Sequence, residues 1–174
     1  MIHSWLGIGV LAGCYNLPLH NPQATIRSAD ELITLASTVT DVVVDNGVNT
    51  ASCITLTISE LKSMKHFRVG DWCFGKVREL RLTGLTELKS VEIGKHSFVR
   101  SLHVCDPNRR FYLKNCPKLK ELRITGVRSF KDYTVCEIEN VDALESIEMG
   151  DVNEKSFNFW CASLELKRVI VHRE

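Results

Sequence analysis

Short runs in which apolar and polar residues alternate fill most of the chain, and one phrase among them recurs. Met64 to Phe74 reads MKHFRVGDWCF and Leu88 to Phe98 reads LKSVEIGKHSF. Leu119 to Phe130 repeats the phrase with one extra residue, and Leu144 to Phe157 repeats it with three. The anchors Met64, Leu88, Leu119 and Leu144 lie 24, 31 and 25 residues apart. Twelve residues separate Phe98 from Phe111 where five separate Phe74 from Leu80, so the middle interval hides a seven-residue insertion on an underlying period of 24. A weaker copy, Val39 to Val44, precedes Met64 by 25 residues, which makes about five units. Self-similarity at this period is the mark of a stacked array in which no unit folds alone.

Each unit predicts two strands, because alternation at period two gives a strand one apolar face. The first strand supplies Phe67 and Val69, then Val91 and Ile93, Leu122 and Ile124, Ile147 and Met149. The second supplies Leu56 and Ile58, then Leu80 and Leu82, Phe111 and Leu113, Cys136 and Ile138, Leu164 and Leu166. Leu61, Leu85, Cys116, Val141 and Val169 form a further inward column. Stacking like on like predicts parallel sheets. Arg68, Glu92, Arg123 and Glu148 then meet as a ladder of alternating charge about 4.8 Å apart, a register device that leaves little net charge for a ligand.

Ile93-Gly94-Lys95-His96-Ser97-Phe98 resembles the IGxxAF signature of BspA-like leucine-rich repeats, and Asn115-Cys116-Pro117-Lys118-Leu119-Lys120-Glu121-Leu122 resembles the turn of cysteine-containing repeats. The resemblance covers residues 39 to 170. It implies a mainly β, right-handed leucine-rich-repeat solenoid of about five coils with two short parallel strands per coil, and a protein that binds other proteins without shared catalytic residues. One departure concerns the Asn that follows the strand in the commonest repeats. Gly70, Gly94 and Gly150, with Thr125-Gly126 in the third copy, stand there instead, which suggests a turn of positive φ rather than an Asn ladder.

Upstream, residues 1–27 read as an apolar segment and linker, and residues 28–174 as the repeat array with its N-terminal cap. Leu11-Ala12-Gly13-Cys14 partly resembles a lipoprotein signal, yet no Lys or Arg precedes the apolar run. No run approaches the roughly 20 apolar residues of a spanning helix. Pro18 and Pro22 mark the linker. Ser28-Ala29-Asp30-Glu31 fits a capping box opening a short helix from Asp30 to Ala36, with Leu32, Ile33, Leu35 and Ala36 on its apolar face.

Charge and composition narrow the function. Twenty-two basic and 21 acidic residues leave a net charge of +1, without the basic excess that nucleic-acid binding uses. Seven cysteines include no CxxC pair, and several stand where sister units carry Leu, Val or Phe. They read as reduced core fillers with no structural disulfide, which places the protein in the cytoplasm, with a surface or secreted location as the alternative if residues 1–13 act as a signal. No P-loop, HExxH, GxSxG or EF-hand motif is present. Cys73 beside His96 on adjacent units is the best nucleophile and base pair, but Ser97, Ser129 and Trp72 fill the same columns. His103, Cys105 and Asp106 carry zinc-ligand chemistry without a fourth partner.

The chain is therefore expected to be a non-catalytic protein-protein interaction scaffold, without cofactor, metal or nucleic acid. The alternatives are a surface adhesin-like lipoprotein and a Cys/His-dependent enzyme. The insertion within Val99 to Arg110 is longer than closure of the unit requires, so it is the expected partner-binding site. His103, Asp106, Asn108, Arg109, Arg110 and Tyr112 are its candidate residues, with Arg109 or Arg110 forking onto a partner carboxylate.

Overall fold

The structure, a computed structural model, describes residues 23–168 apart from 53, 102 and 151–154. The elements are β1 (Gln23–Ile26), α1 (Ala29–Ile33), β2 (Asp41–Val44), β3 (Ile54–Ile58), β4 (His66–Val69), β5 (Val77–Thr83), β6 (Ser90–Ile93), β7 (Asp106–Lys114), β8 (Glu121–Ile124), β9 (Tyr133–Glu139), β10 (Ser146–Met149) and β11 (Ser163–Lys167). From β2 onward the chain alternates between a six-stranded sheet, ordered β1-β2-β4-β6-β8-β10, and a five-stranded sheet, ordered β3-β5-β7-β9-β11. Neighbouring strands are parallel throughout. Parallel neighbours need a crossover rather than a hairpin; from β2 onward each crossover passes through the opposite sheet, and between β1 and β2 it carries α1.

Alternation predicts this mainly β, parallel arrangement, and the registers match the apolar columns. Phe67 pairs with Val91, Val91 with Leu122 and Leu122 with Ile147. Across the core, Leu56 pairs with Leu80, Leu80 with Phe111, Phe111 with Cys136 and Cys136 with Leu164. Most of these side chains are fully buried. On the outside of the larger sheet Arg68, Glu92, Arg123 and Glu148 share one register, with ion pairs of 3.0 Å (Arg68–Glu92) and 2.9 Å (Arg123–Glu148).

The crossovers from the larger to the smaller sheet carry the remaining core. Phe74, Phe98, Phe130 and Phe159 stack with ring centroids 5.2, 4.7 and 4.6 Å apart. The fourth copy of the phrase thus ends on Phe159 rather than Phe157, because Phe159 is the ring that enters the stack. Between these rings runs a buried polar ladder. Ser97 Oγ accepts the Cys73 amide and donates to the Gly70 carbonyl. Ser129 Oγ accepts the Ser97 amide and donates to Gly94, and the Asn158 amide group does the same for Ser129 and Gly126. This ladder satisfies backbone groups that burial would otherwise strand.

Three local expectations change. Gly70 and Gly94 do not have positive φ; a Cβ on Gly94 would lie 2.5 Å from Asp71 Oδ1 and 2.7 Å from the Gly70 carbonyl carbon, so close packing of neighbouring crossovers requires these glycines. Only Gly150 of the set has positive φ, at +86°. The helix is shorter than Asp30 to Ala36 and ends where Thr34 Oγ1 and N–H both donate to the Glu31 carbonyl. Ser28 makes no side-chain cap, and the Glu31 carboxylate reaches past it to accept the Arg27 amide at 2.8 Å, so the capping box does not form. Residues 23–26, expected in the linker, are β1, with Ile26 buried against β2. The apolar stretch 1–13, Pro18, Pro22 and Val169 lie outside the described residues.

Candidate interaction surface

The insertion does not hang from the stack as a loop. Its second half is the start of β7, a nine-residue strand with a register shift between Asp106 and Arg110. Alternation along the strand places Arg109 on the same inward face as Phe111 and Leu113, where it is fully buried. Its Nη1 donates to the Gly75 carbonyl at 3.0 Å and its Nη2 to the Phe98 carbonyl at 3.1 Å. Its Nε lies 3.3 Å from Asp132 Oδ1, and its guanidinium sits 4.7 Å from the centre of the Tyr133 ring. Asp132 Oδ2 in turn accepts the amides of Arg100 and Ser101, and Tyr133 Oη donates to the Val77 carbonyl at 2.6 Å. Burial pushes the Tyr133 hydroxyl well above its ordinary range. Arg109 therefore ties the insertion to the core, and no fork is left for a partner.

The other expected residues separate. Arg110 and Tyr112 lie on the outer face of the smaller sheet, where Arg110 Nη1 donates to Tyr112 Oη at 3.4 Å and the Arg81 guanidinium sits 4.7 Å from the ring centre. Asp106 Oδ1 accepts the Asn108 amide at 2.9 Å, a local turn contact, with the Asn108 side chain exposed. His103 is exposed on the first half of the insertion, beside a different set of residues.

That set is organised by a disulfide between Cys105 and Cys161, with Cα atoms 5.6 Å apart across 56 residues of sequence. The expectation that all cysteines are free is overturned for this pair. Column position explains Cys73, Cys116 and Cys136, which are buried and free, but Cys105 and Cys161 lie in the two unequal crossovers where no column applies. Bonding to Cys161 also removes Cys105 from any thiolate ligand set with His103 and Asp106. The bond joins the insertion to the crossover before β11 and leaves a concavity of about 90 Å³ lined by Ser101, His103, Val104, Lys131 and Trp160 with the two cysteines. Val104 is 66% and Trp160 65% exposed. Phe157 packs against Trp160 at 5.1 Å, and Lys131 Nζ lies 5.3 Å from the Phe157 ring centre. Of this set the sequence pattern singles out only His103 and Cys105; Val104, Lys131, Phe157 and Trp160 are brought to it by the fold. The available signal was two cysteines in two insertions.

Cys73 and His96 are not joined by a hydrogen bond. The Cys73 thiol donates to the carbonyls of Asp45 (3.1 Å) and Asp71 (3.4 Å), and burial raises its pKa. His96 stacks on Trp72 with ring centres 3.9 Å apart and planes 6° from parallel, and desolvation lowers its pKa. A protonated buried thiol and a stacked neutral imidazole are the reverse of an activated pair. Among the described residues no three His, Cys, Asp or Glu side chains group as a metal site, and no helix is long and apolar enough to cross a membrane. No family model matches the chain, and neither a curated protein nor a solved structure matches it.

Proposed function

We propose that the chain is a non-catalytic protein-binding module, a leucine-rich-repeat-like solenoid of about five right-handed coils. The binding surface is the disulfide-held patch of His103, Val104, Lys131 and Trp160. The observation that carries this reading is the exposure of Trp160 and Val104 side by side on a covalently braced concavity. Tryptophan is among the residues that most often anchor interface hot spots. Bracing lowers the entropy that a mobile loop would lose on binding. Arg110 and Tyr112, on the outer face of the smaller sheet, and the Asp106–Asn108 turn lie apart from this patch and are not part of the proposed surface. Support for the non-catalytic half comes from the Cys73 thiol, which burial keeps protonated.

The disulfide favours the surface or secreted location over the cytoplasm, because such bonds persist in oxidising compartments. Thiol counting on freshly isolated, unreduced protein tests this, and full recovery of seven thiols would return the protein to a reducing compartment. The binding reading is tested by quantitative affinity capture from the native source with the wild-type chain and a Val104→Ser/Trp160→Ala variant. Loss of the principal captured protein from a variant that melts normally is expected. Undiminished capture would remove the patch from the interface.

A further inference from the structure

The margin of the stack next to this patch carries a ridge that the core does not require. Trp72, His96, Arg128 and Phe157 occupy one position on successive crossovers. The Trp72 amide donates to Lys95 O, the His96 amide to Val127 O and the Arg128 amide to Ser156 O, which fixes the four in register. All four have left-handed backbone, with φ of 59°, 54°, 65° and 53°. Such φ values are costly for residues with large side chains. The inward neighbours Phe74, Phe98, Phe130 and Phe159 share the left-handed backbone and have a packing reason, the aromatic stack. Trp72, 57% exposed, stacks only on its ridge neighbour His96, and Arg128 is exposed, so neither side chain enters the core. Strain that packing does not explain marks functional positions.

Charge along the ridge is one-sided. Asp45 is paired with Arg27 and Asp71 with Lys95, each at 3.6 Å, and Asp132 is buried on Arg109. Arg128 and Lys131 have no acidic partner among the described residues, and Lys76 Nζ donates only to the Ala51 carbonyl at 2.9 Å. In a chain of net charge +1 this is a local cationic bias rather than a global one.

We infer that the ridge from Trp72 through His96 and Arg128 to Phe157 and Lys131 is a docking strip for an acidic, extended polypeptide segment. The inference rests on the protein-binding reading and names the chemistry of the partner. Three steps of about 4.8 Å span roughly 14 Å, the length of about four extended residues at ~3.3 Å each. Carboxylates meet Arg128 and Lys131, the guanidinium taking them as a fork, while Trp72 and Phe157 offer flat faces for apolar or aromatic side chains between them.

The test is fluorescence anisotropy with a fluorescein-labelled alternating Glu-Tyr decapeptide at about 50 mM salt, a Debye length of ~14 Å. Saturable binding is expected, at least tenfold weaker for Arg128→Glu/Lys131→Glu and for Trp72→Ala. Lys62→Glu, a single charge reversal on the opposite margin, is expected to bind as wild type. Arg128→Gln, with a several-fold loss, serves if the double reversal fails to fold. Absence of saturable binding overturns the inference, as does equal weakening by Lys62→Glu, or tighter binding of a single-stranded oligonucleotide or heparin than of the peptide. If the peptide does not bind while Val104→Ser/Trp160→Ala still abolishes protein capture, the ridge assignment fails and the interaction reading stands.

Discussion

Arg109→Met keeps the aliphatic stem inside the stack and deletes the charge, so Asp132, 2% exposed, loses the guanidinium 3.3 Å away. Removing one partner of a buried ion pair costs about 3–5 kcal/mol, because the remaining charge is left uncompensated. The Gly75 and Phe98 carbonyls also lose charged donors, at about 1–3 kcal/mol for each group left unsatisfied. These terms share one network and do not add, and Asp132 keeps the Arg100 and Ser101 amides, so the expected loss is about 4 kcal/mol in total. For a chain of this length each kcal/mol lowers the melting temperature by ~2–4 °C, which gives a drop of roughly 8–16 °C. Urea and thermal unfolding of Arg109→Met and of the exposed neighbour variant Arg110→Met provide the comparison. Arg110→Met is expected to melt as wild type. Pairing Arg109→Met with Asp132→Asn should recover part of the loss, since the neutral amide oxygen still accepts the Arg100 and Ser101 N–H groups while the uncompensated charge is gone. A destabilisation of Arg109→Met below about 1 kcal/mol would show that the insertion is not anchored by this residue.

Other variants probe other parts of the fold. Cys161→Ser opens a 56-residue connection and should cost up to about 4 kcal/mol by loop-closure entropy, read from urea midpoints against wild type without reductant; an unchanged midpoint would remove the disulfide from the account. Gly94→Ala places a Cβ against Asp71 and the Gly70 backbone and should cost about 1–3 kcal/mol in the same assay, whereas a neutral result would mean that the crossovers do not pack this closely. Burial pushes the Cys116 thiol from its ordinary 9.0 up to about 11 and Cys136 up to about 12. The folded state then holds protons that the unfolded chain releases, so stability is intact below pH 9 and falls as pH rises through about 11 to 12. Cys136→Val should flatten that fall, and a slope independent of the substitution would contradict the burial.

Sequence alone reveals the parallel sheets because their determinants are local and repeated. Leu80, Phe111 and Cys136 share a column that alternation alone identifies, and their pairing follows. The site was less legible because it is built from departures from the repeat. Alternation with Phe111 and Leu113 puts Arg109 on the inward face, but its charge reads as a surface group until Asp132, distant in sequence, is seen beside it. Phe159 and Phe157 both lie two residues from an aromatic neighbour, so only the ring stack distinguishes them. The spacing of Gly70 and Gly94 suggests backbone freedom, whereas the determining fact is proximity, which spacing does not encode. Cys105 and Cys161 fell outside the columns that explained Cys73, Cys116 and Cys136, and that exclusion was itself the signal.

Photo-crosslinking tests the binding surface most directly. A benzophenone side chain placed at Val104, beside the disulfide, and separately at Thr57, on the outer face of β3, is activated in the native source under non-reducing conditions. The account predicts a discrete protein adduct from Val104 that disappears with Trp160→Ala, and none from Thr57. An adduct from Thr57 with none from Val104 would place the interaction elsewhere and contradict it.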